Sequence, residues 1–319
     1  MTNLAPEARG DAAGAPHRRS LQGGQSARSL LLTVLGEYVL PRSDGVWTST
    51  LLEALALLGV EDKAGRQALA RAAKAGWLAG ERRGRAARWH LTDRGRTLLA
   101  EGTERIYSFA PGRQDWDGKW LLLVISVPEE RRAERHVLRT RLAWSGFGSL
   151  GQGVWISPDT ARQAEIEPLF AGLGRPTRVV TFVAELGTIG DATALVHQAW
   201  DLSELEARYL AFVAEFAEFA EFAEFAEFAE LAEQGPVSDA LAFVTETRLV
   251  HEWRKFPFID PGLPTDLLPA AWPGREAHLL FHRLHGELSS LAEAWFHRAE
   301  QHGADRNNRP GDICGPGKG

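Results

Sequence analysis

The chain has 319 residues, of which 44% are hydrophobic and 24% charged, and its net charge is −6 at pH 7. That length exceeds what one hydrophobic core usually supports, so two or three domains are expected. The single cysteine, Cys314, excludes a disulfide framework and a thiolate zinc site. That usage, with no secretory leader pattern and no run of about 18 apolar residues, points to a cytoplasmic protein that does not enter a membrane.

Residues 1–25 are rich in Gly, Ala, Pro and Arg without periodicity and read as a disordered arm. From Ser26 the pattern SARSLLLTVLGEYVL predicts a helix that ends before Pro41. Thr48 or Ser49 can cap a second helix, TSTLLEALALLG, and a third, EDKAGRQALARAAKAG, runs to Gly76. WLAGERRGRAARWHLT then reads as two strands around a basic tip, and TDRGRTLLAEG as a further helix. Three helices followed by a basic hairpin are the order of a winged helix-turn-helix, here assigned to residues 26–108.

The charge distribution supports that assignment. From Asp62 to Arg96 ten Lys or Arg face three acids, a local excess of +7 that leaves −13 on the rest of the chain. A basic island on an acidic protein is a candidate polyanion site. On a helix starting near Asp62, Lys63, Arg66, Gln67, Arg71 and Lys74 share one face with Ala70, while Ala68, Leu69, Ala72 and Ala73 fall on the other. Arg66, Gln67 and Arg71 are the candidates for base edges; Lys63 and Lys74 suit phosphates. Arg82, Arg83 and Arg85 at the hairpin tip suit backbone or minor groove. The competing reading of such charges is a solvated face of a protein-interaction domain.

The next block, 114–190, alternates strand and helix: KWLLLVISVPE, ERRAERHVLRTRLAWSG, GVWISP, TARQAEIEPLFAGL and RVVTFVAEL. That order predicts a ferredoxin-like α+β layer. GFGSLG matches G-x-G-x-x-G, yet a helix precedes it and a strand follows, the reverse of a dinucleotide-binding turn. Ser126 and Ser157 sit at strand ends without a His/Asp pair, and no catalytic residue, cofactor or metal is expected.

Residues 200–302 read as a helical C-terminal domain, with helices expected at Glu204–Glu233, Val237–Trp253 and Ala277–Gln301 and a disordered tail at 303–319. The first of these contains AEFAEFAEFAEFAEFAEL, Ala214 to Leu231. Each triplet turns a helix by about 300°, so the Phe stripe slips by about 60° per repeat and no flat partner covers it. A tandem expansion without a role is preferred to a partner-binding helix. His278, His282 and His285 share one helical face, but the adjacent stripe Phe281, Leu284, Leu288 is the buried one and no carboxylate is assigned to them.

These segments together resemble the PaaX-type transcriptional repressors of phenylacetic acid catabolism over about Ala27 to Arg298. The resemblance rests on RSLLLTVLGEYVLP, LTDRGRTLLAEGTERIY, WDGKWLLLVISVPEERRAERHVLRTRLAWSGFGSLGQGVWISP and HEWRKFPFIDPGLPTDLLPAAWPG. It implies an α+β protein of three parts: an N-terminal winged helix-turn-helix, a ferredoxin-like middle domain and a C-terminal helical domain. It also implies a double-stranded DNA operator and release by an aryl-CoA thioester such as phenylacetyl-CoA. The expected assembly is a homodimer. For the effector, Trp253, Phe256, Phe258 and Trp272 offer apolar surface, and Arg254, Lys255 and Arg275 offer charge; the opposing reading is that this loop only packs domains together. The middle domain is also similar to small CRISPR-associated endonucleases, but Ser126 stands where those need a metal-binding aspartate. A metal-dependent nuclease and a helix-mediated interaction protein are the alternative functions.

Overall fold

The computed structural model describes residues 26–83, 86–112, 116–171, 178–229 and 238–308, without the side chains of 171, 220–229 and 307–308. The arm expected at 1–25 and the tail from 309 lie outside them.

The fold is α+β. Helix α1 (Ala27–Val34) starts at Ser26, whose Oγ accepts from the Ser29 N–H at 3.2 Å, and continues as a π-helical turn, Leu35–Val39. A two-residue strand β1 (Val46–Trp47) precedes α2 (Thr48–Leu57) and α3 (Asp62–Lys74). The expected Thr48 cap is not formed. Its hydroxyl instead donates to the Ala87 carbonyl and accepts from Trp89 Nε1, both at 2.9 Å, because Trp47 is drawn into the sheet. Gly59 (φ 82°) and Gly76 (φ 72°) end α2 and α3 in the left-handed region that glycine tolerates.

Strands β2 (Leu78–Arg83) and β3 (Ala86–Leu91) form the expected hairpin, and β1 adds to it in the order β1-β3-β2. Helix α4 (Asp93–Tyr107) follows, longer than the sequence pattern suggested. Thr92 joins both ends of this region: its hydroxyl donates to the Gly76 carbonyl at 2.6 Å and accepts from the Gly95 N–H at 3.0 Å. A Cβ on Gly95 would stand 2.1 Å from the Trp77 carbonyl oxygen, so only glycine fits there.

The middle unit runs β4 (Lys119–Ser126), α5 (Arg132–Trp144), β5 (Gly148–Gly151), β6 (Val154–Ser157), α6 (Arg162–Ala171), β7 (Arg178–Glu185). Its sheet order is β5-β6-β4-β7, antiparallel throughout. The sequence pattern gives no strand at Gly148–Gly151. Leu121, Leu123 and Ile125 on one sheet face pack against Leu138 and Leu142 of α5 and Ile166 of α6. On the other face Trp120 and Ile156 meet Val196 of α7 (Ala192–Ala199), a helix that the sequence pattern also does not announce.

The C-terminal part consists of α8 (Leu202–Ala229), α9 (Asp239–Trp253), a single turn α10 (Phe256–Ile259) and α11 (Gly274–Asn308). Residues 303–308 are thus helical, not tail. Gly303 lies against the Thr50 and Ser49 hydroxyls, and Arg306 pairs with Glu53 of α2 at 3.0 Å, which holds the last turns in place. The N-terminal and C-terminal parts share one core, since Phe243, Trp295 and Phe296 pack among Leu31, Leu35 and Tyr38. In α8, Phe212 and Phe216, four residues apart, are buried, while Phe219, one step on in the three-residue repeat, is 36% exposed. Among the described residues no helix is long and apolar enough to cross a membrane.

Candidate nucleic-acid interface

Helix α3 presents the face expected of it. Lys63, Arg66, Gln67, Ala70, Arg71 and Lys74 are exposed, and Gly65, Ala68, Leu69 and Ala72 are buried. Gly65 allows the close approach to α2, because a Cβ there would meet Leu52 Cδ2 at 2.8 Å. The cations of α3 are weakly engaged: Arg66 pairs with Asp62 at 2.7 Å, with both side chains more than half exposed. Such a pair contributes little and exchanges readily for a phosphate.

On the hairpin, Arg82 and Arg83 stand opposite Ala87 and Ala86 at its outer end, and both are exposed. Arg83 pairs with Glu81 at 2.8 Å, and that hydrogen bond is the main cause holding the Glu81 carboxyl below its usual range. Arg85 lies outside the described residues. Two further cations of the basic island are structural. Arg88 donates to the Gly45 carbonyl at 3.0 Å and lies over the Trp47 ring, and Arg96 donates to the carbonyls of Leu40 and Arg42. Sequence counting could not separate these from the outward ones.

The loop after His251 holds the residues expected to bind the effector. Trp253 is fully buried, stacked on Phe281 with centroids 4.8 Å apart, and its Nε1 donates to the Ile106 carbonyl at 3.3 Å. Phe256 stacks on Tyr209 at 4.1 Å, and Trp272 meets Tyr209 edge-on. Tyr209 in turn donates to Asp260 at 2.5 Å. Arg254 donates to Ser29 Oγ at 2.6 Å and Lys255 pairs with Glu252, whereas Arg275 is exposed. The rings of Trp253 and Phe256 are covered by other rings of the chain, whereas Trp272 is half-buried. Phe258 is 38% exposed and lies under the Arg105 guanidinium.

A polar knot absent from the sequence reading ties the N-terminal part to the C-terminal helices. Tyr38 donates to Glu246 at 2.5 Å, Tyr107 donates to Glu37 at 2.7 Å, and His285 Nδ1 lies 2.8 Å from Glu246. Burial and the neighbouring Glu246 carboxylate push the Glu37 carboxyl up from 4.5 to about 7. His285, though partly desolvated, is raised by its bond to Glu246. Glu37, Glu246 and His285 bring three possible metal-ligating atoms within 4.8 Å of one another, yet each already has a bonded partner in the chain. His251 lies 3.0 Å from Thr33 Oγ1, and burial drives it down to about 3, so its ring is neutral.

Comparison with known proteins accounts for most of the chain. Residues 26–95 match the model of the PaaX-like protein, 113–196 that of the PaaX protein central Cas2-like domain, and 200–298 that of the PaaX-like protein C-terminal domain. Transcriptional repressor PaaX of Escherichia coli (strain K12) is 28% identical over 291 residues, 90% of this chain and 88% of that protein. Among solved structures, an uncharacterized protein of Mycobacterium tuberculosis superposes with a TM-score of 0.56 at 26% identity, covering 84% of this chain and 98% of the other. With successive parts of the chain matched in order by three models of one family, the chain belongs to the PaaX family, a family of regulators rather than enzymes.

Proposed function

We propose that this chain is a DNA-binding transcriptional repressor of an aromatic, phenylacetate-type catabolic operon, relieved from its operator by an aryl-CoA thioester. The observation that carries the reading is the outward set Lys63, Arg66, Gln67, Arg71 and Lys74 on α3, followed closely in the chain by a hairpin bearing exposed Arg82 and Arg83. Residues 26–108 act as a winged helix-turn-helix: α3 lies in the major groove, Arg66, Gln67 and Arg71 meet base edges, and Lys63 and Lys74 meet phosphates. Arg82, Arg83 and Arg85 follow the adjoining backbone or minor groove.

The middle unit, residues 114–190, is a ferredoxin-like layer, and its order β4-α5-β5-β6-α6-β7 with sheet order β5-β6-β4-β7 supports that reading. It supplies a homodimer contact. Val124, Val180 and Phe182 form an exposed apolar strip on one sheet face, at 41%, 50% and 54%. A second copy placed there would bring two winged helices to the two halves of an operator. The E. coli relative is a transcriptional repressor, which adds to this reading.

A gel-shift with the DNA upstream of the gene tests it. A retarded complex is expected at low salt, weakened as salt rises and dissolved by phenylacetyl-CoA but not by phenylacetate. No retarded complex at any salt concentration would refute the repressor, and a complex indifferent to phenylacetyl-CoA would refute the effector.

A further inference from the structure

We infer that the middle unit carries a binding pocket for an amphipathic organic anion, a flat ring-sized apolar group joined to phosphate, between α5 and the strands β4 and β6. A cavity of about 390 Å³ opens there, bordered by Leu138, Ile125 and Trp155, each only 4–7% exposed, with Arg135 and Arg139 at its rim. That volume falls within the usual span of small-molecule sites. A second groove of about 480 Å³ continues from it along Arg132, Arg135, His136 and Arg139. A narrow apolar edge therefore adjoins a row of cations.

The sequence of α5 creates this arrangement. In RAERHVLRTRLAW, Leu138 and Leu142 are one turn apart and buried on the sheet, and Arg135 and Arg139 flank them at the edge of the same face. Arg135 is held by Glu129 at 3.0 Å and by the Val127 carbonyl at 2.9 Å, so it is pre-positioned. Arg139 is exposed and makes no hydrogen bond or ion pair among the described residues. A guanidinium of this kind offers a planar pair of N–H donors to a phosphate.

The opposite wall is rigid. Gly151, Gln152 and Gly153 have φ of 88°, 47° and 83°, and Gln152 is the one non-glycine residue in that region among those described. Gln152 and Gly153 form the two-residue turn between β5 and β6, where positive φ at both positions is ordinary hairpin geometry. Gly153 accepts from the Ile125 N–H at 2.8 Å, and a Cβ on it would lie 2.1 Å from the Ile125 carbonyl oxygen. The turn is thereby pinned to β4. Ser126, which lines the cavity at the strand end, has a neutral hydroxyl and does not repel an anion. A DNA backbone could engage the arginine row, but in a paired duplex it has no free ring to lie on the apolar edge.

The pocket deepens the proposed function and rests on it in one respect: an aryl-CoA thioester carries flat rings and phosphates, its adenine close to the phosphates and its aryl group a pantetheine arm away. It moves the effector away from Trp253 and Phe256, whose rings are already stacked on Phe281 and Tyr209. The test uses the full chain, with 1-naphthyl phosphate and phenylacetyl-CoA as separate probes in calorimetric titrations. Both should bind the wild type, and Arg139→Glu should weaken each by about tenfold or more, with Arg139→Lys recovering part of the loss. Operator affinity without effector should be unchanged, since Arg139 belongs to α5 and not to the α3 and hairpin set proposed to meet DNA. If both probes bind Arg139→Glu and Arg135→Ala as they bind the wild type, the pocket is overturned while the effector reading stands. If 1-naphthyl phosphate binds in an Arg139-dependent way but phenylacetyl-CoA neither binds nor dissolves the operator complex, the pocket stands and the effector reading falls. Failure of both probes to bind the wild type overturns both.

Discussion

Glu37→Gln tests the polar knot most directly. The Glu37 carboxyl is raised from 4.5 to about 7 by burial and by the Glu246 carboxylate, against the opposing bond from Tyr107. A carboxyl whose folded value lies above its unfolded one stabilises the fold most below the unfolded value. That stability is then lost as pH rises through the folded one. The span from 4.5 to about 7 corresponds to about 3 kcal/mol of stability lost between pH 4.5 and about pH 8.5. The amide introduced by Glu37→Gln would keep an acceptor for the Tyr107 hydroxyl while removing the charge, so the variant's stability should lack this decline. Urea unfolding followed by tryptophan fluorescence, at about five pH values across that window, should show the two proteins converging at the acid end. The variant should be ahead by about 3 kcal/mol at the alkaline end. Parallel curves for wild type and variant would refute the reasoning, because they would mean that Glu37 is solvated or already compensated by His285.

Arg82→Ala combined with Arg83→Ala should weaken DNA binding on every sequence and make the slope of log affinity against log salt shallower by up to about 1.8, read by fluorescence anisotropy. Unchanged affinity at several salt concentrations would remove the hairpin from the interface. Deleting two AEF triplets from α8 should leave operator affinity within a few-fold, because the buried Phe212 and Phe216 are retained. A folded deletion variant that no longer binds its operator would give the repeat a role. His251, driven down to about 3 by burial, must be neutral in the fold. It stabilises above its ordinary 6.5 and loses that contribution as pH falls toward about 3, about 2–3 kcal/mol by about pH 4.5. His251→Asn should blunt this acid-side loss; an identical acid transition in the variant would contradict the assignment.

The parts of the structure legible in the sequence are those governed by neighbours three or four residues away. Buried Ala68, Leu69 and Ala72 against exposed Arg66, Gln67 and Arg71 is a local alternation, and α3 follows it residue by residue. Strand β5 is hidden because Gly148 and Gly151 carry no apolar pattern; their strand character comes from pairing with β6, where Gly148 lies opposite Ile156. The cap expected of Thr48 fails for the same non-local reason, since β3 claims its hydroxyl. The aromatic loop after His251 stands out in the sequence, yet composition cannot tell a ring that waits for a ligand from one already covered. Only the positions of Tyr209 and Phe281, distant in sequence, decide that.

The knot of Glu37, Glu246 and His285 is the extreme case. Its members come from α1's π-turn, α9 and α11, with no spacing rule to connect them; Tyr38 enters from the same π-turn and Tyr107 from the end of α4. Two carboxylates, one imidazole and two phenols at the boundary between the basic N-terminal part and the C-terminal helices do not maximise stability, as the rise of Glu37 shows. What they provide is a contact whose strength depends on protonation and on close side-chain placement, unlike the apolar packing of Phe243, Trp295 and Phe296 beside Tyr38. If the orientation of α3 relative to the helical part matters for operator spacing, substitutions in this knot should alter DNA affinity without touching a DNA contact. Glu246→Gln, which keeps one of the two acceptor oxygens used by Tyr38 and His285 and turns the other into an amide donor, should shift operator affinity more than Phe219→Ala, a partly exposed change on α8. Equal affinities for both variants and the wild type would confine the knot to stability alone.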